Sequence, residues 1–317
     1  MKQKRENNLT RKYFTEFGLN MVADAVQYLF PTELDLIPTN GSSDHYHIYM
    51  INRITKVRFS MNSLVQHKDY FTVRLEIKKP NTGLIVSNPI AFSLDSFDKN
   101  NIDSILIDSS RKFVRITLKN DATIQINSLF FLTHSQQFTK IDMDIIYIGQ
   151  SYGNQGNRNA TKRLKSHETL QRILSVSHDE EWNNDICITI WNFKELTLFS
   201  FDGTSNNLQK NMDEDSKHID KVLNEPIKKR KIINITEAAL INYFKPKFNE
   251  KFVNEFPSES HTSYNDFYTS EYNTIIIEFF YENNINFMSE NNILDGFAPS
   301  IKFKLDNQSQ SIFPFPY

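Results

Sequence analysis

Five side chains in the second half of the sequence have the chemistry that phosphodiester hydrolysis requires. They are Tyr147, Arg163, His167, Glu237 and Asn249. An arginine offers a planar fork of donors to a phosphate, and a histidine or tyrosine can exchange protons with the attacking water or the leaving oxygen. A carboxylate can hold a Mg²⁺ ion that keeps several of its waters. These residue types alone do not fix a reaction, because they lie far apart in the sequence.

The elements predicted around these residues indicate how each would be presented. An apolar run predicts a strand that ends near Gly149, with Tyr147 on the same face as the glycine because side chains alternate along a strand. A glycine there leaves room for another backbone or a ligand. Arg163 and His167 have i, i+4 spacing in a predicted helix and therefore share one of its faces. Glu237 lies near the start of a further predicted helix.

Four short motifs, taken in order, resemble those of the GIY-YIG nuclease superfamily. The resemblance covers roughly residues 128–256, which is less than half of the chain. The Tyr-Ile-Gly triplet is weak evidence by itself, but its order and context with the other three motifs make the match more specific. The close arginine–histidine pair is most similar to the restriction-endonuclease branch. The motifs are Tyr147-Ile148-Gly149, Arg163-Leu164-x-x-His167, Glu237-x-x-Leu240-Ile241 and Pro246-x-x-Asn249.

The resemblance implies a small three-stranded sheet flanked by helices, and it implies a role for each of the five residues. Glu237 would be the single metal ligand, and Arg163 would bind and stabilise the scissile phosphate. His167 would assist proton transfer or orient the nucleophile. Tyr147 would be the tyrosine of the second half of the motif, and Asn249 would brace the site or touch the phosphate. The positive charges of the arginine and the metal would act on charge that grows in the transition state.

The first half of the motif departs from the family pattern. No Gly-Ile-Tyr triplet precedes Tyr147 at the expected place. The strand expected to carry it, Ser128–Leu132, has phenylalanine where a tyrosine is expected. Either Tyr147 or His167 is then the general base, or the domain has lost cleavage and kept binding.

Local positive charge predicts contacts with a polyanion. The formal net charge is -2, so a nucleic-acid partner cannot be argued from the whole chain. Basic side chains crowd one predicted helix and would follow the sugar-phosphate backbone. The predicted nucleic-acid-binding residues are Arg158, Lys162, Lys165 and Arg172.

The pattern of apolar residues divides the chain into four parts and predicts an α+β protein. A helix is expected over Thr10–Leu29, because Phe14, Phe17 and Met21 recur at helical spacing. Alternating apolar and polar residues with turn signals then predict antiparallel strands. The predicted parts are an N-terminal helix (1–30), a β-rich recognition or regulatory domain that is a sandwich or a small barrel (31–127), the GIY-YIG-like domain (128–257) and a C-terminal extension with two strands (258–317).

Length, cysteine content and the absence of long apolar segments limit the possible classes of protein. A length of 317 residues suggests two domains. A single cysteine, Cys187, excludes an intrachain disulfide scaffold and fits a reducing, cytoplasmic setting. The first residues are not followed by an uninterrupted apolar segment, so we expect no signal peptide, and no apolar run is long enough to predict a membrane span.

Together these features predict an endonuclease that hydrolyses DNA with Mg²⁺ or Mn²⁺, with RNA not excluded as substrate. One active site handles one phosphodiester, so a homodimer is one way to cut a duplex. The restriction-enzyme similarity suggests a role in restriction or phage defence.

Two alternatives come from other functional classes. The first is a nucleic-acid-binding protein without catalysis, built on a degenerate nuclease domain. The second is a defence complex in which the β-rich domain binds a partner and the nuclease is the effector.

Overall fold

The computed structural model describes residues 11–34, 46–79, 83–138, 140–150, 168–179, 184–201, 208, 210–258, 260–282, 284–294 and 299–305. Within these ranges, no helix combines the length and apolar character needed to cross a membrane.

Strands dominate the described residues, and eight of them form one mixed sheet. In chain order the strands are β1 (Thr15–Leu29), β2 (Ile48–Thr55), β3 (Val57–Phe59), β4 (Val65–Gln66), β5 (Tyr70–Val73), β6 (Leu75–Lys79), β7 (Gly83–Val86), β8 (Ile90–Ser93), β9 (Ile102–Ile107), β10 (Phe113–Leu118), β11 (Thr123–Asn127), β12 (Ile141–Gln150), β13 (Asn184–Phe201), β14 (Tyr272–Glu278), β15 (Ile285–Met288), β16 (Ile293–Leu294) and β17 (Ser300–Lys304). The large sheet has the order β16-β15-β12-β2-β13-β1-β14-β17. The pairs β1–β14 and β12–β15 are parallel and the other neighbours are antiparallel.

The helices lie between and after these strands. They are α1 (Ser128–His134), α2 (Glu168–Asp179), α3 (Met212–Asn224), α4 (Lys229–Phe244) and α5 (Asn265–Thr269), with short 3-10 turns at Pro31–Glu33 and Lys99–Asn101. The chain is therefore mixed α+β and rich in strands, which confirms the predicted fold class at this level.

The central strands are buried on both faces because their sequences are apolar at successive positions. In β13, Ile186, Ile188 and Ile190 belong to one apolar cluster, while Cys187 and Trp191 belong to another. We name the first the α2 core, because α2 contributes Leu170 and Ile173 to it. We name the second the α4 core, because α4 contributes Ile233, Leu240 and neighbouring residues to it. The sheet thus separates two packed layers.

A β-rich segment is inserted between two strands that are neighbours in the large sheet. β2 ends at Thr55, β12 begins at Ile141, and β3 to β11 with α1 lie between them in sequence. These strands form three small antiparallel sheets, with orders β11-β10-β9, β3-β6-β7 and β4-β5-β8. The antiparallel β-rich character predicted for this region is therefore present.

A buried group of charges joins the inserted segment to β13. The carboxylate of Asp185 accepts hydrogen bonds from Arg58, one of them at 3.0 Å, and its Oδ1 lies 3.3 Å from Nζ of Lys112. Burial alone would raise the pKa of Asp185, but the bonds from Arg58 and the charge of Lys112 bring that pKa below its ordinary value. The carboxylate is thus held in its charged form beneath the inserted segment.

The predicted helix over Thr10–Leu29 is wrong, because β1 occupies most of this range. Phe17, Leu19 and Met21 alternate along β1 and all are buried, so the same apolar residues that suggest a helical period also satisfy a period of two. β1 pairs with β13 along its length and with β14 over part of it. Pairing with residues distant in sequence therefore decides the conformation.

The predicted strand over Ser128–Leu132 is also wrong, because these residues begin α1. The Oδ1 atom of Asn127 accepts a hydrogen bond of 2.8 Å from the amide of Phe130 and caps the helix. The buried ring of Phe131 packs edge-on against Phe59 at 5.3 Å. The antiparallel neighbour of β12 in the large sheet is β2 instead.

Other predicted elements agree with the structure in part. The strand predicted to end near Gly149 is β12, and the helix predicted around Glu237 belongs to α4. The predicted helix start is wrong, because α4 begins at Lys229 and Glu237 therefore lies in the helix interior. Two strands are predicted after residue 257, and four are described there: β14 and β17, which match the predicted pair, and β15 and β16, which the prediction misses. Strands from before residue 128 and after residue 257 pair in the same sheet as β12 and β13.

Candidate functional site

Three adjacent antiparallel strands carry the first part of the candidate site. Their order is β12-β2-β13. In β12, Tyr147 lies opposite Ile51, and Gly149 lies opposite Tyr49. Because directly opposed residues point to the same face of a sheet, both tyrosines and the glycine share one face. Tyr49, Ile51 and Tyr147 all contact the α2 core, which agrees with this assignment.

Gly149 lies where any larger residue would collide with Tyr49. A Cβ atom placed on Gly149 would lie 2.5 Å from Oη and 2.6 Å from Cζ of Tyr49. It would also lie 3.0 Å from Cε1 of Tyr147. The two tyrosine rings have centroids 6.2 Å apart. The missing side chain at Gly149 therefore lets both rings gather over the end of β12.

Tyr49 is a candidate that the sequence motifs do not indicate. It stands in His47-Ile48-Tyr49, which carries the Ile-Tyr part of the missing triplet. Tyr49 is fully buried, whereas Tyr147 is half-buried. In the sequence, the inserted β-rich segment separates this Ile-Tyr pair from Tyr147. Only the pairing of β2 with β12 brings them together.

Asn249 is held by the backbone of β12. Its Oδ1 accepts a hydrogen bond of 2.9 Å from the amide of Ile148, and its Nδ2 donates one of 2.8 Å to the carbonyl of Ile148. The amide of Phe248 donates to the carbonyl of Ile146 at 3.0 Å. β15 pairs with β12 over Ile141–Asp144. The turn after α4 thus continues along the edge of β12 beyond β15.

The helix that carries Glu237 packs on the opposite side of the sheet from Tyr147. Glu237 lies on α4 and is half-buried. One turn earlier, the Oδ1 of Asn234 accepts a hydrogen bond of 3.2 Å from Nε2 of Gln150. Gln150 alternates with Gly149 and therefore faces the α4 core rather than the tyrosines. Tyr147 and the helix that carries Glu237 consequently lie on opposite faces of the same strand.

The charge of Glu237 acts on a neighbouring phenol. Burial, followed by the negative charge of Glu237, raises the pKa of Tyr264 to about 12. Tyr264 is buried in the α4 core and its ring packs edge-on against Phe252 at 5.8 Å. The carboxylate of Glu237 therefore lies at the margin of this layer.

A basic surface lies beside the two tyrosines. The guanidinium carbon of Arg172, on α2, lies 5.5 Å from the ring centroid of Phe248. The Nζ of Lys247 lies 5.8 Å from the same centroid. Arg172 and Lys247 are exposed, and Phe248 also contacts the α2 core. Cations held over an aromatic face at such distances are positioned to meet a polyanion.

The remaining predicted site residues lie outside the described residues. These are Arg158, Lys162, Arg163, Lys165 and His167.

The donor set available for a metal is small. Among the described residues, no group of three or more His, Cys, Asp or Glu side chains could hold a metal ion. The metal site implied by the family resemblance uses the single carboxylate of Glu237. One carboxylate suits Mg²⁺, which keeps several waters when it binds to proteins. A half-buried position at the margin of a layer gives such a hydrated ion access to solvent.

Comparisons with protein-family models, with curated proteins and with solved structures give no match.

Proposed function

We propose that this protein is a metal-dependent endonuclease that hydrolyses phosphodiester bonds of DNA. The observation that carries the proposal is the antiparallel pairing of β2 with β12, which gathers Tyr49 and Tyr147 over Gly149. Two tyrosines on neighbouring strands, with a glycine between them, fit both halves of the motif whose second half prompted the family resemblance. The resemblance implies a small three-stranded sheet, whereas β12, β2 and β13 are three neighbouring strands within a sheet of eight. We propose that these three strands, covered on this face by α2, correspond to the implied sheet.

Each group in the proposed site has a distinct task. The hydroxyl of Tyr147, which is half-buried, is proposed to exchange the proton of the attacking water, with His167 as a further proton carrier. Tyr49 is fully buried and is proposed to act through Tyr147. Arg163 is proposed to hold the scissile phosphate through its planar fork of donors. Asn249 fixes the edge of β12, because both of its polar atoms bond the backbone of Ile148. It is therefore proposed as a positioning residue.

Glu237 is the residue proposed to hold Mg²⁺ or Mn²⁺. When bound, such an ion supplies positive charge to a phosphoryl oxygen and lowers the pKa of a bound water. The carboxylate keeps its place on α4 through the packing of that helix on β12 and through the bond between Asn234 and Gln150.

A cleavage assay with matched variants tests the proposal. Plasmid, single-stranded DNA and RNA would be incubated with Mg²⁺ and either the wild type or the variants Tyr49→Phe, Tyr147→Phe and Glu237→Gln. Loss of a group that transfers a proton typically lowers the rate by about 10²–10⁴-fold. The control is Tyr46→Phe, because Tyr46 packs on the same α2 core and its hydroxyl accepts a bond of 3.2 Å from Gln27.

The expected result is cleavage by the wild type and by Tyr46→Phe, with at least a hundredfold lower rate in the other three variants. Equal activity of Glu237→Gln and wild type would remove the metal site from the proposal. Cleavage of RNA but not of DNA would change the substrate.

A second candidate function is nucleic-acid binding without cleavage. The observation that favours it is the position of α4, which carries Glu237 and packs on the face of the sheet opposite Tyr147. Binding of DNA by the wild type, with no metal-dependent cleavage of any of the three substrates, would support this alternative. Metal-dependent cleavage abolished by Glu237→Gln would exclude it.

A further inference from the structure

A basic cavity opens beside the edge of β12. Its volume is 240 Å³, and it lies between the end of β15 and the turn that follows α4. Its polar walls come from three cationic side chains, two carboxylates and a hydroxyl. These are Arg53, Lys245, Lys247, Asp144, Glu290 and Ser289.

The charges that line the cavity favour an anion. Asp144 is neutralised by Arg53, whose Nε and Nη2 atoms lie 3.0 Å and 2.5 Å from Oδ2 of the carboxylate. The remaining charges are those of Lys245, Lys247 and Glu290, which leave the cavity with a net positive charge. A metal ion would meet two ammonium groups there, whereas a phosphate would pair with both.

The backbone at Lys245 is unfavourable for a lysine. Lys245 follows the last residue of α4 and has the left-handed conformation φ 51° and ψ 55°. Glycine is strongly preferred at such a helix end, because other residues are strained there. The next residue is Pro246, which further restricts the conformation of the residue before it. Replacing Lys245 with glycine would therefore remove the ammonium group and relieve the backbone at the same time.

The cavity opens on the face that carries the two tyrosines. Arg53, Ile51 and Tyr49 alternate along β2 and therefore point to the same side. Asp144 lies opposite Arg53 in β12. At a rise of about 3.3 Å per residue, Arg53 lies about 13 Å along the strand from Tyr49. Each strand of a duplex carries one phosphate per about 3.4 Å of helix axis. Phosphates on either side of a bond held near the tyrosines therefore lie within the distance that separates Tyr49 from Arg53.

We propose that this cavity binds a backbone phosphate of the nucleic acid, a few nucleotides from the bond that is cut. The inference rests on the proposed function, because it takes the substrate to be a nucleic acid. Lys245 and Lys247 bind the phosphate, and Arg53 keeps the carboxylate of Asp144 from repelling it. The two lysine charges outweigh the single charge of Glu290. Phe248 and Arg172 continue the basic surface from the cavity towards the tyrosines.

The test measures how binding depends on salt. Anisotropy of a labelled DNA duplex would be followed over a range of KCl concentrations in EDTA, so that binding is measured without cleavage. The variants are Lys245→Gly, Lys247→Gln and the combination of both. The matched control is Lys251→Gln, which removes the same charge from an exposed lysine that does not line the cavity.

Each lost phosphate contact should lower the slope of log K against log[KCl] by about 0.9 in magnitude. Because both lysines bind the same phosphate, we expect a decrease of about 0.9 for the combination, no more than that for either single variant, and no change for Lys251→Gln. Lys245→Gly should at the same time unfold at a higher denaturant concentration than the wild type, because it relieves the left-handed lysine. Weaker binding by a more stable protein cannot be explained by damage to the fold.

Two outcomes would overturn the inference. Wild-type slopes in the cavity variants, or an equal loss in Lys251→Gln, would show that the cavity makes no specific phosphate contact, while the proposed function stands. If the wild type binds neither DNA nor RNA, the proposed function fails together with the inference.

Discussion

Substituting Gly149 with alanine tests the geometry on which the candidate site depends. The new Cβ would lie 2.5 Å and 2.6 Å from two atoms of the Tyr49 side chain, which is fully buried. A buried ring of this size cannot move without displacing its neighbours, because protein interiors are close-packed. The substitution therefore overpacks the α2 core at the end of β12.

The expected cost follows from two opposing effects. Overpacking of this kind destabilises by about 1–3 kcal/mol, and a contact with a fully buried ring belongs at the upper end of that range. Replacing glycine with alanine in a strand recovers about 0.5–1 kcal/mol of backbone entropy. The net loss in the free energy of unfolding should be about 2 kcal/mol. Urea unfolding followed by far-UV circular dichroism would measure it.

A double-mutant cycle identifies Tyr49 as the cause. Tyr49→Leu removes the two atoms nearest to the new Cβ, so in that background the added cost of Gly149→Ala should fall close to zero. The control is Gly83→Ala, because Gly83 has φ 75° and a Cβ added there would meet no atom within 4 Å. Its cost of about 1–2 kcal/mol comes from the backbone and should be the same in both backgrounds. If Gly149→Ala costs as much in the Tyr49→Leu background as in the wild type, the two residues do not meet as described.

Two further predictions concern buried charges. Asp185→Asn should lower the free energy of unfolding by about 2–4 kcal/mol near neutral pH, because it leaves the cations of Arg58 and Lys112 without their partner. The pKa of Asp185 is lowered in the folded state, so its contribution to stability is complete above the ordinary aspartate pKa and is lost as the pH falls through the folded pKa. Urea unfolding at low pH should therefore show a smaller difference in stability between the variant and the wild type. Burial lowers the pKa of His218, whose Nε2 donates to the carbonyl of Ser270 at 3.2 Å. The unfolded chain therefore binds a proton more readily than the folded one as the pH falls below about 6.5, and stability should decrease by up to ~1.4 kcal/mol per pH unit there. A His218→Asn variant that keeps the full wild-type pH dependence between neutral and mildly acidic pH would contradict this assignment.

A local sequence pattern predicts a helix or strand correctly when the spacing of apolar residues within that element fits only one of the two conformations. The apolar run of β12 and the helical spacing in α4 both appear where expected. The pattern of β1 predicts a helix instead of a strand because Phe17 and Met21 fit both periods, and its strand partners β13 and β14 lie far away in sequence. Pairing between distant segments supplies the information that a local pattern lacks.

The same limitation applies to the candidate site. Tyr147 and Gly149 are recognisable because they are close together in one short motif. Tyr49 is not, because the motif places its partner strand just before Tyr147, at Ser128–Leu132, where the structure has α1. The Ile48-Tyr49 pair can be seen in the sequence. Its pairing with β12 cannot, because a whole β-rich segment is inserted between the two strands. The cavity with Lys245 forms where the end of α4 meets the edge of β12, and no sequence motif predicts this contact.

The placement of side chains on the two faces of β12 bears on the choice between cleavage and binding without cleavage. Tyr147 and Gly149 face the α2 core, whereas Gln150 bonds to Asn234 of α4 on the other side. A catalytic Glu237 must therefore reach the tyrosines from the face of the sheet opposite to theirs. If it does not, the same surface keeps its basic residues and tyrosines, and binding without cleavage follows.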